Sequence, residues 1–481
     1  MRKLLSSPEY LFVVGLTVVG AILRFYRLPE MAIFLADEGR DALIIKRIIM
    51  LQHFPAIGPP MSTGNIFLGP FYYYFIAPWL LLSAFNPAGL AIGVAFFSTL
   101  FIPLFYKIVK KIANNTVAGL AAVFITFATP LITFSRSSWN PNLLPLFSFL
   151  SAYFLYQAFK TKKNRYYIAA GAFISFSIQL HYLALFLLPA AAICFLIYFF
   201  SPRRTARLRL AGQGILTASS FFIGALPLII FDVRHNFLNF RNFLKLFAAP
   251  GSVASHSPQS FWQSFASFVE YSLRMRLPLP IVIVTFLLLS GFALYFARKF
   301  KVGYVMAVFL FSLLIGVSFY PGPKYPHYYA SIYPFFYLFL AFFLAGGWSR
   351  LTIPVIIAVA VFIGLNTQFY SFFSSTPANQ ITHAQKVGNF LDGIITEKRF
   401  NFAVQPDGWQ EDSYLYFLEL RGKIPLNREK QEVGDAMYIV CGTPCNPLTS
   451  RSWNITMFGK ARRVDQWSLD NVTIYKLTHA R

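Results

Sequence analysis

Long apolar runs separated by short polar stretches make up most of the chain as far as residue 373. Each run is near the roughly 20 residues that a helix needs to cross the hydrocarbon of a bilayer. The runs are 10–28, 88–106, 117–134, 142–159, 166–180, 182–200, 212–231, 279–297, 304–320, 330–348 and 351–373. The pattern predicts an all-α polytopic membrane protein with about eleven transmembrane helices, forming a module over residues 1–373.

A further apolar segment, 69–85, is rich in aromatic residues and broken by proline, and whether it crosses decides the topology. Basic residues concentrate in cytoplasmic loops of membrane proteins. If 69–85 does not cross, all six basic clusters lie on one side: Arg2/Lys3, Lys107/Lys110/Lys111, Lys160/Lys162/Lys163/Arg165, Arg203/Arg204/Arg207/Arg209, Arg298/Lys299/Lys301 and Arg350. We therefore predict an interfacial or re-entrant segment inside a first outer loop, 29–87, with a cytoplasmic N-terminus and an extracytoplasmic C-terminus.

The last part of the chain, 374–481, has the composition of an ordinary soluble domain and holds 11 of the 18 acidic residues. Alternating stretches predict strands at Asn401–Gln405, Ala436–Cys441 and Val472–Leu477, and Asp412–Leu420 reads as a short helix. We predict a small extracytoplasmic α+β domain. Cys441 and Cys445 form either a local disulfide or, less favourably, part of a metal site.

The amino-acid composition limits the classes of molecule that this chain can bind. The chain is 56% hydrophobic and only 12% charged, with a mean hydropathy of +0.55, so a water-soluble globule is excluded. The net charge of +24 would suit nucleic acid. Because the charges lie in short clusters between apolar runs, anionic lipid headgroups or lipid phosphates are better partners. No Walker loop, dinucleotide glycine pattern or HExxH occurs, so a soluble nucleotide-sugar donor is not expected.

Acidic residues are sparse before the tail, which makes the pair Asp37 and Glu38 stand out at the start of a predicted amphipathic helix. Its face of Ile44, Ile45, Ile48 and Ile49 predicts a helix lying on the outer membrane surface. Asp37 is then either the N-cap of that helix or a general base at the boundary of water and lipid, and one residue can do both.

A base at this boundary would deprotonate a hydroxyl or amine for attack on a sugar carbon whose leaving group is a membrane-anchored phosphate. That phosphate needs cationic and hydrogen-bonding partners. The outer loops offer them, with Lys324 and His327 favoured for phosphate binding and Tyr328 in the same aromatic loop. Arg136 binds phosphate or caps a helix, and His181 is a structural residue, a ligand or a proton carrier.

Four motifs resemble those of GT-C glycosyltransferases, and more narrowly the protein O-mannosyltransferase and lipid A aminoarabinose transferase superfamily. They are Asp37-Glu38 after a first span ending in Arg24-Phe-Tyr-Arg, Gly69-Pro-Phe-Tyr-Tyr-Tyr, Ser135-Arg-Ser-Ser-Trp-Asn, and Lys324-Tyr-Pro-His-Tyr-Tyr-Ala-Ser-Ile-Tyr-Pro. The resemblance covers roughly residues 1–370.

The resemblance implies a membrane transferase that uses a polyprenyl-phosphate-linked sugar on the extracytoplasmic face, in the cell (plasma) membrane. Asp37 would be the catalytic base or a carboxylate that orients the acceptor, with Glu38 beside it. The residues expected to bind the donor phosphate or substrate are Arg40, Tyr72, Arg136, His181, Lys324, His327 and Tyr328. The acceptor is a lipid, glycan or protein.

One departure concerns a possible metal ion. Many relatives carry an aspartate in the second outer loop, where this chain has Asn140 and Asn142. We therefore favour metal-independent chemistry and leave a divalent metal open.

Two other functions fit a polytopic membrane protein. A transporter or flippase of a lipid-linked sugar would need no base, but ion-coupled transporters usually carry ionisable groups within spans and repeated halves, which are not apparent here. A non-catalytic scaffold that presents the tail would not need Asp37.

Overall fold

The computed structural model describes residues 7–61, 65–200, 204–248, 258–299, 301–320, 323–347, 351–408, 410–442 and 445–480. Of the basic residues used above for topology, Arg2, Lys3, Arg203 and Arg350 lie outside these ranges. The chain forms two compact units. The helical unit comprises Met1–Tyr26, Pro55–Ile76 and Ala91–Ser375, and the sheet unit comprises Arg27–Phe54, Ala77–Leu90 and Thr376–Arg481.

Helices dominate the described residues. In chain order they are α1 (Pro8–Phe25), α2 (Leu28–Met31), α3 (Ala36–Ile49), α4 (Phe71–Leu82), α5 (Ala88–Ile112), α6 (Asn115–Phe127), α7 (Thr129–Ser135), α8 (Leu144–Thr161), α9 (Asn164–Leu180), α10 (Leu187–Phe199), α11 (Arg204–Gly224), α12 (Leu226–Arg234), α13 (Leu238–Ala248), α14 (Pro258–Leu273), α15 (Leu279–Lys299), α16 (Lys301–Ser318), α17 (Tyr333–Gly347), α18 (Thr352–Thr367), α19 (Gln380–Ile394), α20 (Glu411–Leu420) and α21 (Trp453–Thr456).

Within the described ranges, four stretches are long and apolar enough to cross a membrane: Pro8–Phe25, Ala88–Ile112, Tyr182–Phe199 and Leu279–Arg298. Two bent pairs, α6 with α7 and α11 with α12, raise this to six, and further apolar helices are shorter. Several apolar helices are thus confirmed, while the count of eleven stays a prediction. The segment 69–85 forms α4, a helix of 12 residues with Pro78 inside it.

Both bent pairs are broken beside a proline. The axes of α6 and α7 differ by 53°, and those of α11 and α12 by 66°. Pro130 and Pro227 lie in the first turns of α7 and α12, where the missing N–H is tolerated although it could not continue the preceding helix. The bend after α6 leaves polar backbone groups that need partners.

Asn366 of α18 supplies partners at that bend. Its side-chain oxygen accepts from the backbone N–H and the hydroxyl of Thr129, at 2.8 Å each. The hydroxyl of Thr129 also lies 3.0 Å from the Asn366 carbonyl. Inside hydrocarbon such groups must be satisfied by the protein itself, so this pair fixes α18 against the break.

Arg24, near the end of α1, is fully buried among neighbouring helices. Its Nε donates to the hydroxyl of Ser98 in α5 (2.8 Å), and its terminal nitrogens donate to the carbonyls of Gly20, Ile125 and Thr126. The guanidinium group is therefore held by backbone and hydroxyl oxygens, which ties α1 to α5 and α6.

Large apolar side chains cover the outer faces of the helical unit. On α15 alone, Leu279, Ile281, Val284, Leu287 and Leu288 are each about half exposed. A soluble protein would not expose a continuous apolar face of this kind, because water excludes it. The protein is an integral membrane protein, with lipid as the solvent of this face.

The sheet unit contains four strands, β1 (Phe400–Gln405), β2 (Ala436–Cys441), β3 (Ala461–Leu469) and β4 (Val472–His479), in the order β1-β2-β4-β3. β1 and β2 are parallel, and β4 pairs antiparallel with β2 and β3. The three predicted strands and the helix at 412–420 are confirmed. β3 and α19 were not predicted, because β3 is mostly exposed and carries no apolar alternation.

α3 packs along α20 within the sheet unit. A Cβ on Gly39 would lie 2.5 Å from the backbone nitrogen of Ser413, so only glycine permits this approach. The hydroxyl of Ser413 donates to the carbonyls of Phe34 and Leu35, at 3.0 Å each, just before α3 begins. The two helix starts are thereby held together.

The expectation that the isoleucine face of α3 lies in lipid is wrong for Ile45 and Ile48, which are buried in protein. Lys46 of the same helix is also buried, and it donates to Glu419 of α20 at 3.1 Å. Arg47 pairs with the same carboxylate. Sequence periodicity identifies an apolar face, but it does not say whether lipid or another helix covers it.

The predicted division at 373/374 stays a proposal. The C-terminal segment of the sheet unit begins at Thr376, and the unit also takes in Arg27–Phe54 and Ala77–Leu90 from the predicted first outer loop. Phe85 illustrates the reason, since its carbonyl accepts from the hydroxyl of Tyr416 at 2.7 Å.

We predict that Glu419→Gln lowers the free energy of unfolding of the sheet unit by about 3 kcal/mol, because it leaves the buried ammonium of Lys46 without its carboxylate. Denaturant unfolding of the detergent-solubilised protein would measure the change. Glu429→Gln is the matched control, because Glu429 is an exposed glutamate of the same unit. A loss for Glu419→Gln no larger than for this control would contradict the prediction.

Candidate functional site

The acidic pair lies in the first turn of α3. The helix begins at Ala36 with Leu35 as N-cap, so Asp37 and Glu38 are inside the helix and Asp37 is not the N-cap. The backbone N–H of Leu35 donates to Glu38 Oε2 at 3.4 Å. Glu38, rather than Asp37, therefore closes the start of the helix, and both carboxylates benefit from the positive end of its dipole.

Arg40 links Asp37 to a second, buried aspartate. Its Nη1 donates to Asp37 Oδ1 at 2.8 Å, while Nε and Nη2 donate to Asp41 Oδ1 at 3.0 and 2.7 Å. The side chain of Asp37 is 49% exposed and that of Asp41 is fully buried. Asp37 is thus an accessible, oriented carboxylate, and the predicted phosphate-binding role of Arg40 stays a prediction.

The carboxyl groups around this turn differ in acidity. Burial, together with the charges of Asp37 and Asp41, raises the pKa of Glu38 to about 7, although backbone hydrogen bonds oppose the shift. Burial and the charge of Glu411 raise the pKa of Asp412 to about 6, although Arg40 and Arg428 oppose the shift. Asp412 could not be identified from the sequence, because no local pattern shows that α20 packs against α3.

A second group of predicted residues lies in the helical unit around His327. This residue is in a short 3-10 helix, Pro326–Tyr329, and its ring centroid lies 4.6 Å from that of Trp139 and 4.4 Å from that of Tyr328. The His181 ring is 6.0 Å from His327 and 5.6 Å from Tyr328. The structure therefore brings His181, His327 and Tyr328 together, and adds Trp139. We call these four residues the His327 cluster.

Lys324 lies next to these rings with its ammonium 5.0 Å from the ring centroid of Tyr320. Burial lowers the pKa of Lys324 to about 8, that of His327 to about 4 and, with the charge of His327, that of His181 to about 3. Near pH 7 the lysine is charged and both imidazoles are neutral. His181 Nδ1 already accepts from the backbone N–H of Leu183 at 3.3 Å, which is a structural role.

Arg136 caps the end of α1. Its Nη1 donates to the carbonyls of Leu23 and Arg24 at 3.1 and 3.0 Å, and its Nη2 to that of Tyr26 at 2.7 Å. Its guanidinium also covers the ring of Phe372 at 4.1 Å. Of the two roles considered for Arg136, helix capping is the one seen, and phosphate binding stays a prediction.

Tyr72 is fully buried, and its hydroxyl lies 2.8 Å from that of Ser138. The contact fixes the loop that contains Trp139. A small cavity lies between this loop and the helices, lined mainly by apolar side chains together with Arg24, Asn142 and His327. The cavity places His327 at the edge of a space inside the helical unit.

No group of three or more His, Cys, Asp or Glu side chains suited to a metal ion occurs in the part of the chain that is described. Cys441 and Cys445, the other candidates for metal binding, form a disulfide.

Comparison with known proteins defines the class. A family model described as dolichyl-phosphate-mannose-protein mannosyltransferase matches residues 68–231. The crystal structure of ArnT from Cupriavidus metallidurans bound to undecaprenyl phosphate matches with a TM-score of 0.66 at 12% identity, covering 96% of this chain and 97% of ArnT. ArnT in the apo state gives 0.65 at the same identity, covering 98% of each chain.

A more distant match is the archaeal oligosaccharyltransferase AglB from Archaeoglobus fulgidus, in complex with an inhibitory peptide and a dolichol-phosphate. Its TM-score is 0.51 at 12% identity, over 90% of this chain and 69% of AglB. A comparison with curated protein sequences finds no match. The chain has the GT-C fold. The predicted resemblance to GT-C glycosyltransferases of the protein O-mannosyltransferase and ArnT type is confirmed.

The raised pKa of Glu38 predicts that the stability of the sheet unit depends on pH. Its pKa of about 7 in the folded state lies above the ordinary 4.5, so the folded protein holds this proton more tightly than the unfolded chain. The resulting stabilisation is complete below pH 4.5 and is lost as the pH rises through about 7. The free energy of unfolding of the wild-type protein should therefore fall by about 3 kcal/mol across this pH range. We expect Glu38→Gln to abolish this fall. Unfolding at pH 5 and pH 8 would measure it.

The control for this pH dependence is Glu397→Gln. Hydrogen bonds from Lys476 and Tyr438 outweigh desolvation and lower the pKa of Glu397 to about 2, so its contribution is lost only as the pH falls below 4.5. This variant should keep the difference between pH 5 and pH 8. If Glu38→Gln keeps the wild-type difference as well, Glu38 does not titrate as proposed.

Proposed function

We propose that the protein transfers a sugar from a polyprenyl-phosphate-linked donor to an acceptor hydroxyl or amine on the extracytoplasmic face of the cell membrane. The observation that carries the proposal is the likeness to ArnT over 96% of the chain, because that protein was crystallised with undecaprenyl phosphate. The family model, which is named for a dolichyl-phosphate-mannose donor, supports the same class of donor independently.

Asp37 is the proposed base. Glu38 is 9% exposed and, with a pKa of about 7, is only partly ionised near neutral pH, while Asp41 is fully buried beneath Arg40. Asp37 is the carboxylate of this turn that a substrate can reach, and Arg40 restricts its orientation. A general base needs both access and a fixed direction.

The proposed reaction is a single displacement. Asp37 accepts the proton of the acceptor group as its oxygen or nitrogen bonds to the anomeric carbon of the sugar. The bond between that carbon and the phosphate oxygen breaks, and its electron pair leaves with the polyprenyl phosphate. The role proposed for Lys324 is to stabilise the charge on this phosphate, since an ammonium is the strongest type of partner that the aromatic loop can offer.

His181 and His327 serve this proposal as neutral groups. Because burial keeps both imidazoles unprotonated near pH 7, they can donate one hydrogen bond each but add no positive charge. Tyr328 and Trp139 add aromatic surface beside them. We propose that the His327 cluster contacts the donor through hydrogen bonds and ring faces, with Lys324 providing the charge.

We predict that Asp37→Asn lowers the turnover number at least about 100-fold, because an amide cannot accept the acceptor proton. The assay would follow sugar transfer by purified protein from a polyprenyl-phosphate sugar. Donor binding should persist.

Glu30→Gln is the matched control. Glu30 forms an i,i+3 pair with Arg27 at 3.2 Å and is 52% exposed, close to the 2.8 Å and 49% of the Arg40–Asp37 pair. It should retain wild-type turnover. Full activity of Asp37→Asn would remove Asp37 as the base, and flipping of the lipid-linked sugar without transfer would favour a transporter instead.

Lys324 generates a second prediction. Because its pKa is about 8, polyprenyl-phosphate affinity should fall as the pH rises through 8 and the ammonium loses its proton. Lys324→Gln should lower the affinity about tenfold at pH 7. Lys324→Arg should restore it and remove the decline above pH 8, since a guanidinium stays charged. Equilibrium binding of the lipid in detergent would measure all three proteins.

Arg276→Gln removes a positive charge from another predicted outer loop, where Arg276 is exposed and paired with Glu270. It should leave affinity unchanged. Equal losses in Lys324→Gln and Arg276→Gln would indicate a general charge effect and contradict a specific role for Lys324.

A further inference from the structure

Four tyrosine and lysine side chains gather where α8 and α10 end and α9 and α16 begin. They are Lys162, Tyr167, Tyr198 and Tyr304, and we call them the Tyr167 cluster. Phe159 connects Tyr167 and Tyr198, because its ring stacks on Tyr198 at 4.8 Å and meets the edge of Tyr167 at 6.1 Å, and the ammonium of Lys162 lies over the Tyr198 ring. Tyr304 interacts electrostatically with Tyr167.

Two hydroxyl groups in this cluster have no protein partner among the described residues. Tyr167 is fully buried, and neither its hydroxyl nor the buried hydroxyl of Tyr304 makes a hydrogen bond there. Burying a polar group without a partner is unfavourable. Two such donors on different helices, α9 and α16, therefore indicate a ligand that accepts hydrogen bonds from both.

The charged groups around the cluster indicate whether that ligand is an anion or a cation. The ammonium of Lys162 is buried 3.6 Å from the centroid of Tyr198, and Arg209 interacts electrostatically with Tyr167. The sequence contains no Asp or Glu from residue 42 to 231 or from 271 to 391, so the helices around the cluster carry no carboxylate at all. An anion fits these surroundings and a cation does not.

Contacts with neighbouring helices fix the position of Lys162. It is the C-cap of α8 in a left-handed conformation, with φ of 60°. The amide nitrogen of Gln213 in α11 donates to its carbonyl at 3.3 Å, and Gln213 is itself buried. The lysine is therefore held by three elements, unlike a lysine on a mobile surface loop.

We propose that the Tyr167 cluster binds the phosphate group of an anionic membrane lipid, with the hydroxyls of Tyr167 and Tyr304 and the ammonium of Lys162 as its donors. Helix ends that carry basic clusters are where lipid headgroups meet a membrane protein. The basic residues beside the cluster, Lys160, Lys163 and Arg165, add to the attraction. This site is independent of the proposed transferase reaction.

Thermal unfolding in nanodiscs tests the site. The wild-type protein should unfold at least about 2 °C higher in nanodiscs containing phosphatidylglycerol than in phosphatidylcholine alone, because a ligand of the folded state stabilises it. Tyr167→Phe should lose most of this difference. In phosphatidylcholine alone it should be at least as stable as the wild type, since it removes an unsatisfied hydroxyl. This reversal of sign between the two lipids is specific to a bound ligand.

Two matched control variants test whether the effect is specific to the site. One controls for the loss of a tyrosine hydroxyl and the other for the loss of a positive charge. Tyr166→Phe removes a neighbouring hydroxyl that already accepts from Arg165 at 3.2 Å, and Lys163→Gln removes an exposed charge from the same loop. Both should keep the lipid-dependent difference, whereas Tyr304→Phe and Lys162→Gln should reduce it. Equal losses in Lys163→Gln and Lys162→Gln, or a Tyr167→Phe protein that keeps the full difference, would overturn the proposal.

Inorganic phosphate added to phosphatidylcholine nanodiscs distinguishes the source of the phosphate. No effect of the free ion, together with the effect of phosphatidylglycerol, supports a lipid headgroup. Stabilisation by the free ion alone, abolished in Tyr167→Phe, would overturn the lipid assignment.

Discussion

Polar groups that fold within hydrocarbon have to be satisfied by the protein, and the helical unit depends on this constraint wherever a helix breaks or ends. Asn366 accepts a hydrogen bond from the backbone at the break between α6 and α7, and Arg136 donates three hydrogen bonds to carbonyls at the end of α1. Arg24 is held in the same manner by oxygens of three helices. Each of these two arginines thus connects helices through hydrogen bonds to oxygen atoms of the protein.

The sparing use of carboxylates has a related cause. A charged carboxylate within a membrane span is expensive, and the chain places most of its acidic residues in the sheet unit. Within α3 the environment then separates three neighbouring acids. Burial raises the pKa of Glu38 to about 7, so this carboxyl is only partly ionised near neutral pH, while Arg40 neutralises the buried Asp41 and Asp37 stays accessible. One helical turn can therefore present a single open carboxylate although it contains three acidic residues.

Burial has the opposite effect on the pKa values of the basic groups near Lys324, which it lowers. Desolvation lowers the pKa of every basic group there, but it leaves the lysine charged and the two histidines neutral near pH 7, because the unperturbed pKa of a lysine is four units higher. A phosphate that binds there would meet one positive charge surrounded by neutral donors and rings.

The sequence by itself determined the membrane class, the small α+β tail with three of its four strands, and the motifs that mark the GT-C type. Each of these follows from local pattern, since apolar length, alternation and short motifs are properties of neighbouring residues. Only the tertiary structure decided that Ile45 and Ile48 are buried in protein, that Asp412 joins the acidic residues of α3, and that Arg136 caps a helix. These results depend on residues more than 100 positions apart in the chain, whose approach is set by packing and by the need to satisfy buried polar groups.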